Sequence, residues 1–148
     1  MGNYDDRLAQ VQQDILARAP EHDIEPSIDQ IRAVIFLLGD PQQSYPVIHL
    51  TGTNGKTSTA RIVEALCREH GLTTGLFTSP HLHDMRERIR IGGEPIDPDA
   101  FVEAYDEVIP IVELVEARDG VAMNFFQVLV VLASVSYTHL TLPTNREV

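Results

Sequence analysis

The 148-residue sequence holds a single cysteine, a single lysine and no tryptophan, and only 6% of its residues are aromatic. One thiol, Cys67, cannot close an internal disulfide, which excludes a cystine-stapled scaffold and fits a reducing compartment. Basic residues are scarce: 22 acidic against 11 basic side chains leave a formal charge of −11. That balance excludes broad electrostatic capture of nucleic acid or of an anionic membrane, so any anionic ligand must be met locally. Long apolar runs are missing too. The longest, Phe125 to Ala133, is about half of the ~20 residues a membrane span needs, and Gln127 interrupts it. Met1 to Arg18 has neither the basic start nor the apolar run of a secretory signal. Nine glycines, nine prolines and 43% hydrophobic residues exclude collagen-like, disordered and coiled-coil chains. What is left is a globular, soluble, cytoplasmic protein with one core.

Leu8, Val11 and Ile15 recur at helical spacing and predict a helix over residues 4–18, closed by Pro20. In the next segment Ser27 is placed to cap a helix whose apolar stripe is Ile28, Ile31, Ile35 and Leu38, and Gly39-Asp40-Pro41 ends it. Val47-Ile48-His49-Leu50 is a β-favouring run that leads into Thr51-Gly52-Thr53-Asn54-Gly55-Lys56-Thr57-Ser58. A helix over 57–70, with Ile62, Val63, Leu66 and Cys67 inward, then stops at Gly71, and a strand follows at Gly75 to Thr78. This β-α-β order predicts a parallel sheet. Arg88 to Ile91 alternates with period two and meets a Gly92-Gly93 turn. Asp97-Pro98 opens a long helix carrying Phe101, Tyr105, Val108, Val112 and Val115, which Pro110 should kink.

The glycine loop carries the chemistry. Backbone N–H groups of a glycine turn at a helix start point at phosphate oxygens, a lysine adds a mobile positive charge, and a hydroxyl reaches Mg²⁺. A helix terminus alone contributes only ~0.3–2 kcal/mol toward an anion, so the lysine and the metal are needed as well. Lys56, the only lysine in the chain, sits in this loop. The competing reading is an incidental strand-to-helix turn. The general phosphate loop places glycine six positions before its lysine, where this chain has Leu50, which disfavours the common kinases. A GTPase is disfavoured further, because its guanine-reading segment requires a second lysine.

Gly52-Thr53-Asn54-Gly55-Lys56-Thr57 resembles the ATP loop of the Mur ligase superfamily, whose members join a carboxylate to an amine. Only 51 residues precede Gly52, too few for the nucleotide-sugar domain of the peptidoglycan enzymes. The chain is therefore most similar to the folate branch, the dihydrofolate synthase/folylpolyglutamate synthase family. The likeness covers residues 4–133, through His49 to Thr57, Thr78-Ser79-Pro80-His81-Leu82 and Glu87-Arg88-Ile89-Arg90-Ile91-x-Gly93. It implies an α/β fold: a partial, phosphate-loop-containing parallel sheet with flanking helices, of the Mur ligase central-domain type and truncated.

The resemblance implies that Gly52, Thr53, Asn54, Gly55, Lys56, Thr57 and Ser58 hold ATP, with Lys56 catalytic, and that Thr57, Ser58 and Ser79 meet Mg²⁺. Folate-side candidates are His81, Arg86, Arg88, Asn124, Phe125 and Phe126, and also Pro26 and Ser27. Gln127 stands where the family usually carries Glu. Simpler readings compete: Ser79 capping its own turn, the Arg86/Arg88/Arg90 row as one solvated strand face, and both phenylalanines as core. The implied reaction adds L-glutamate to dihydropteroate or to tetrahydrofolate through an acyl phosphate, by a monomer that takes no nucleic acid or membrane partner. Alternatives are a nucleotide-binding fragment without catalysis, and another Mur-type ligase acting on peptidoglycan or cyanophycin precursors. Residues 134–148 are Ser/Thr-rich, depart from the family pattern and read as non-native sequence joined to a truncated frame. With so few strands, the expectation is a poorly stable chain without ligase turnover.

Overall fold

Helical spacing becomes buried surface first in α1 (Gly2–Leu16), whose Val11 and Ile15 are fully buried. The computed structural model describes residues 2–20 and 28–140. Pro26 and Ser27, and the cap assigned to Ser27, lie outside them. α2 (Asp29–Leu37) buries Val34 and Ile35, leaves Ile28 exposed and ends before Gly39 at a left-handed φ of +85°. α4 (Pro98–Asp119) begins with Pro at its first turn and continues through Pro110 to a left-handed Gly120. α5 (Phe125–Ser136) is apolar nearly all round because helices and strand-borne residues cover it on several sides. The core lies where α4 and α5 meet, with α1 and α2 against α4. Phe101, Val108, Val112, Val128, Leu129 and Leu132 fill it. An Arg7–Asp106 ion pair ties α1 to α4, and Arg18, two residues past α1, pairs with Glu116 of α4.

A small sheet and α3 (Lys56–Glu69) flank this helical layer. β1 (Gly75–Phe77) pairs with β2 (Ile89–Ile91), and β2 with β3 (Glu94–Pro95). Both pairings are antiparallel, with Leu76 opposite Arg90 and Ile91 opposite Glu94. The α/β composition agrees with the sequence reading, but the strand direction does not. The Val47–Leu50 run forms no strand and pairs with none among the described residues, and Val47 and Ile48 are 66% and 68% exposed. β-Branched residues favour a strand only where a neighbour offers a ladder and an apolar face, and without one this run stays irregular. The β2–β3 turn is the expected Gly92-Gly93, both at positive φ as a two-residue hairpin of this twist requires.

The inward face expected of α3 is also different. Ile62 and Leu66 are exposed, whereas Glu64 is buried. Among the described elements α3 packs chiefly on β1 and no second layer covers its other side, so the Arg61/Glu64/Arg68 face is the one turned to the sheet. Glu64 accepts hydrogen bonds from Arg68 Nε at 3.0 Å and the Thr74 hydroxyl at 2.7 Å. Those bonds, that from Arg68 foremost, hold its carboxyl below the usual range despite burial.

Candidate functional site

At the end of the irregular 46–50 segment the backbone turns through Gly52 at φ +149° and Gly55 at φ +74°. Gly55 is the N-cap of α3 in the left-handed conformation, which costs an L side chain energy and glycine little. Its carbonyl accepts the Thr59 N–H at 2.9 Å, the first bond of the helix. Lys56, Thr57 and Ser58 therefore occupy the positions whose N–H groups have no partner within a helix. Thr51 to Lys56 are exposed, and no carboxylate among the described residues pairs with Lys56. Converging amide donors, a positive helix end and an uncommitted ammonium fit a polyphosphate. Thr53 and Asn54 lie in this turn, in line with the expected loop.

α3 ends at Gly71, and the chain returns along it as β1. Thr74 reaches Glu64 near the far end of the helix, and Leu76 faces Arg61 across a cavity of about 210 Å³. This direction carries Ser79, two residues beyond β1, toward the end of α3 where Lys56 sits. Ser79 is exposed and joined to Pro80 by a cis peptide. Among the described residues no three His, Cys, Asp or Glu side chains group to hold a metal. A hard cation held here would take hydroxyl oxygens of Thr57, Ser58 and Ser79 together with phosphate oxygens, a donor set suited to Mg²⁺.

Beyond Ser79 the structure joins three of the expected residues. Arg88 Nε donates to His81 Nδ1 at 2.9 Å, and the same guanidinium lies 4.9 Å from the centre of the Phe125 ring. The His81 and Phe125 rings are 6.2 Å apart. Burial, and after it the Arg88 charge, lower the His81 pKa from its ordinary value.

The three arginines do not form one row. Arg86 and Arg88 belong to a 3₁₀ turn, Met85–Arg88, so strand alternation does not apply to them. Arg88 is buried. Arg86 bonds Asp84 and the Ile96 carbonyl, and Arg90 bonds the Gly93 carbonyl. The single solvated strand face does not form.

Asn124 and Gln127 form a reciprocal cap on α5: each side chain accepts the other's backbone N–H at 2.8 Å. The Asn124 carboxamide oxygen is thus engaged in holding the helix start. Phe125 is buried beneath Arg88, and half-buried Phe126 packs 5.9 Å from Phe77. Glu87 entered the sequence reading only as part of the family motif and without a role of its own, although Asp84-x-x-Glu87 is the spacing of a capping box and the two residues form one. The Glu87 carboxylate accepts the N–H groups of Leu82, His83 and Asp84 at 2.9–3.0 Å, and these bonds lower its pKa to about 2.

Known proteins supply an independent measure of this arrangement. No protein-family model matches the chain. It is 44% identical over 137 residues to a dihydrofolate synthase/folylpolyglutamate synthase of Mycobacterium tuberculosis, matching 88% of this chain and 28% of the relative. Its fold superposes on Mycobacterium tuberculosis folylpolyglutamate synthase complexed with ADP at a TM-score of 0.84 and 42% identity, covering 93% of this chain and 30% of that one. The chain is homologous to the folylpolyglutamate synthases. A folylpolyglutamate synthase complex with AMPPCP and folate matches with a TM-score of 0.78 and 31% identity, over 94% of this chain and 33% of the other. The chain thus spans about 28–33% of the length of these relatives. Among the described residues no helix is long and apolar enough to cross a membrane.

Proposed function

We propose that this chain is the nucleotide-binding part of an ATP-dependent ligase that adds L-glutamate to a folate, either dihydropteroate or a tetrahydrofolate. The observation that carries the reading is the Gly55–Lys56 junction, where a left-handed glycine ends the loop and a lysine with no ion-pair partner among the described residues opens a helix. The homologues solved with ADP and with AMPPCP and folate support the same ligands.

In this reading the N–H groups of Gly55 to Ser58 donate to the β- and γ-phosphate oxygens, and the Lys56 ammonium offsets charge that develops as the terminal phosphoryl group leaves. Thr57, Ser58 and Ser79 supply hydroxyl oxygens to Mg²⁺, which when bound neutralises phosphate charge and fixes its geometry. His81, Arg88 and Phe125 form a polar-aromatic wall beyond Ser79, on the folate side of the loop. No protein nucleophile is required, because the carboxylate and the amine that join both belong to substrates; alignment and charge neutralisation are the protein's task. The protein acts as a monomer in the cytoplasm, and residues 1–133 are its functional part.

Calorimetric titration of the 148-residue chain with Mg·ADP tests this reading. Saturable binding that Lys56→Ala removes is expected, and binding indifferent to Lys56 defeats it. A second reading, binding without turnover, is favoured by the 28% of the relative's length that the chain spans. Glutamate-dependent ADP release from ATP by this chain would exclude that second reading.

A further inference from the structure

Glu87 belongs neither to the nucleotide loop nor to the His81–Arg88–Phe125 cluster, yet it makes more backbone contacts than any residue beside the site needs for its own sake. Its Oε1 accepts the His83 and Asp84 N–H groups at 3.0 and 2.9 Å, and its Oε2 accepts that of Leu82 at 3.0 Å. Asp84 in turn accepts the Arg86 N–H and the Gln12 carboxamide of α1, both within 2.8–2.9 Å, so the turn is fastened to the helical layer. On its other side the segment is anchored where the Thr78 N–H meets the Arg88 carbonyl at 3.1 Å. Ser79, Pro80 and His81 alone lie between the two anchors. The His81 ring is held by Arg88, and Pro80 has no N–H to bond.

We infer that Glu87 is a positioning residue for Ser79: by clamping Leu82 to Asp84 it fixes the far end of a three-residue bridge and so the place of the Ser79 hydroxyl. The clamp is electrostatic as well as geometric, since hydrogen bonds to an ionised carboxylate are roughly twice as strong as those to a neutral acceptor in the same place. The inference rests on the proposed role of Ser79 toward Mg²⁺, but the clamp itself is testable without it.

Glu87→Gln keeps one acceptor oxygen and loses the other, and Glu87→Ala loses both. Both variants of the 148-residue chain are titrated with Mg²⁺ at fixed ADP, and with ADP in the absence of metal. The Mg²⁺ concentration for half-maximal enhancement of ADP binding is expected to rise roughly tenfold or more, the scale on which losing a residue that orients a metal ligand weakens metal binding. Metal-free ADP binding, which depends on Lys56 and the loop amides, should stay within about twofold of the parent. A purely structural Glu87 would lower the melting temperature and leave the Mg²⁺ dependence unchanged, which overturns the proposal. Should the alanine variant not fold, amide exchange in the parent decides: Leu82, His83 and Asp84 N–H groups are expected to be protected, and exchange at unstructured rates overturns the clamp. A parent chain that binds no Mg·ADP but shows those amides protected defeats the nucleotide reading and leaves the clamp standing.

Discussion

Arg88 donates from Nε to the Nδ1 of His81 at 2.9 Å, and this bond requires the imidazole to be neutral. Burial and the neighbouring guanidinium lower the His81 pKa, so the folded chain takes up this proton less readily than the unfolded one. The associated stability is complete above the ordinary histidine value of 6.5 and drains as the pH falls through and below it. Urea midpoints measured between about pH 7.5 and 5.5 should decline more steeply for the parent than for His81→Gln, which can accept from Arg88 but does not titrate. Equal slopes would show that the bond does not govern the imidazole.

Lys56→Ala removes the one ammonium at the start of α3 without disturbing packing, since the side chain is exposed. Losing a charge-assisted phosphate contact costs about 1.5–3 kcal/mol, a fall in Mg·ADP affinity of roughly ten- to a hundredfold. Thermal unfolding should be unchanged without nucleotide, and only the stabilisation by added ADP should disappear.

A Cβ at Gly75 would lie 2.5 Å from the Tyr137 ring, closer than real contacts allow. Gly75→Ala is expected to destabilise the chain by about 1–3 kcal/mol through overpacking. In a Tyr137→Ala background the same change should cost little, and a double-mutant cycle of chemical unfolding measures the difference. The Tyr137 hydroxyl is buried without a hydrogen-bond partner among the described residues. Tyr137→Phe should therefore raise stability by about 1 kcal/mol.

Asn124 caps α5, the helix at the centre of the core. Replacing it by Ala leaves the Gln127 N–H unsatisfied in a buried place and should cost ~1 kcal/mol. A shift in the unfolding midpoint with unchanged Mg·ADP affinity would show that its part is structural; lost folate-dependent stabilisation at equal midpoint would return it to the ligand site.

The helices and the glycine loop were legible because their signals are local. Val11 and Ile15 at helical spacing, Pro98 at a first turn, Gly71 past a helix end, and Gly55 before Lys56 each follow from backbone preferences within a few residues. Strand pairing is not local. Arg88 to Ile91 alternates convincingly, yet the strand begins only at Ile89, because Asp84 and Glu87 cap a 3₁₀ turn that absorbs Arg86 and Arg88. Val47 to Leu50 shows how far β-propensity depends on a partner. The Glu87 clamp was readable in principle from Asp84-x-x-Glu87, but a capping spacing says nothing of a carboxylate that also gathers Leu82 and His83. The Arg88–His81–Phe125 contact joins residues up to 44 positions apart in the sequence, and no periodicity reports it.

The bare stretch before the glycine loop has a practical consequence. Val47 to Leu50 presents exposed β-branched side chains together with amides that have no backbone partner among the described residues, a template on which another extended chain can add. The excess of negative charge keeps molecules apart in dilute, low-salt solution, and salt weakens that repulsion. Concentrated preparations should therefore be kept at low ionic strength, and the first sign of failure will be thioflavin-positive association seeded at this stretch, ahead of any loss of helix.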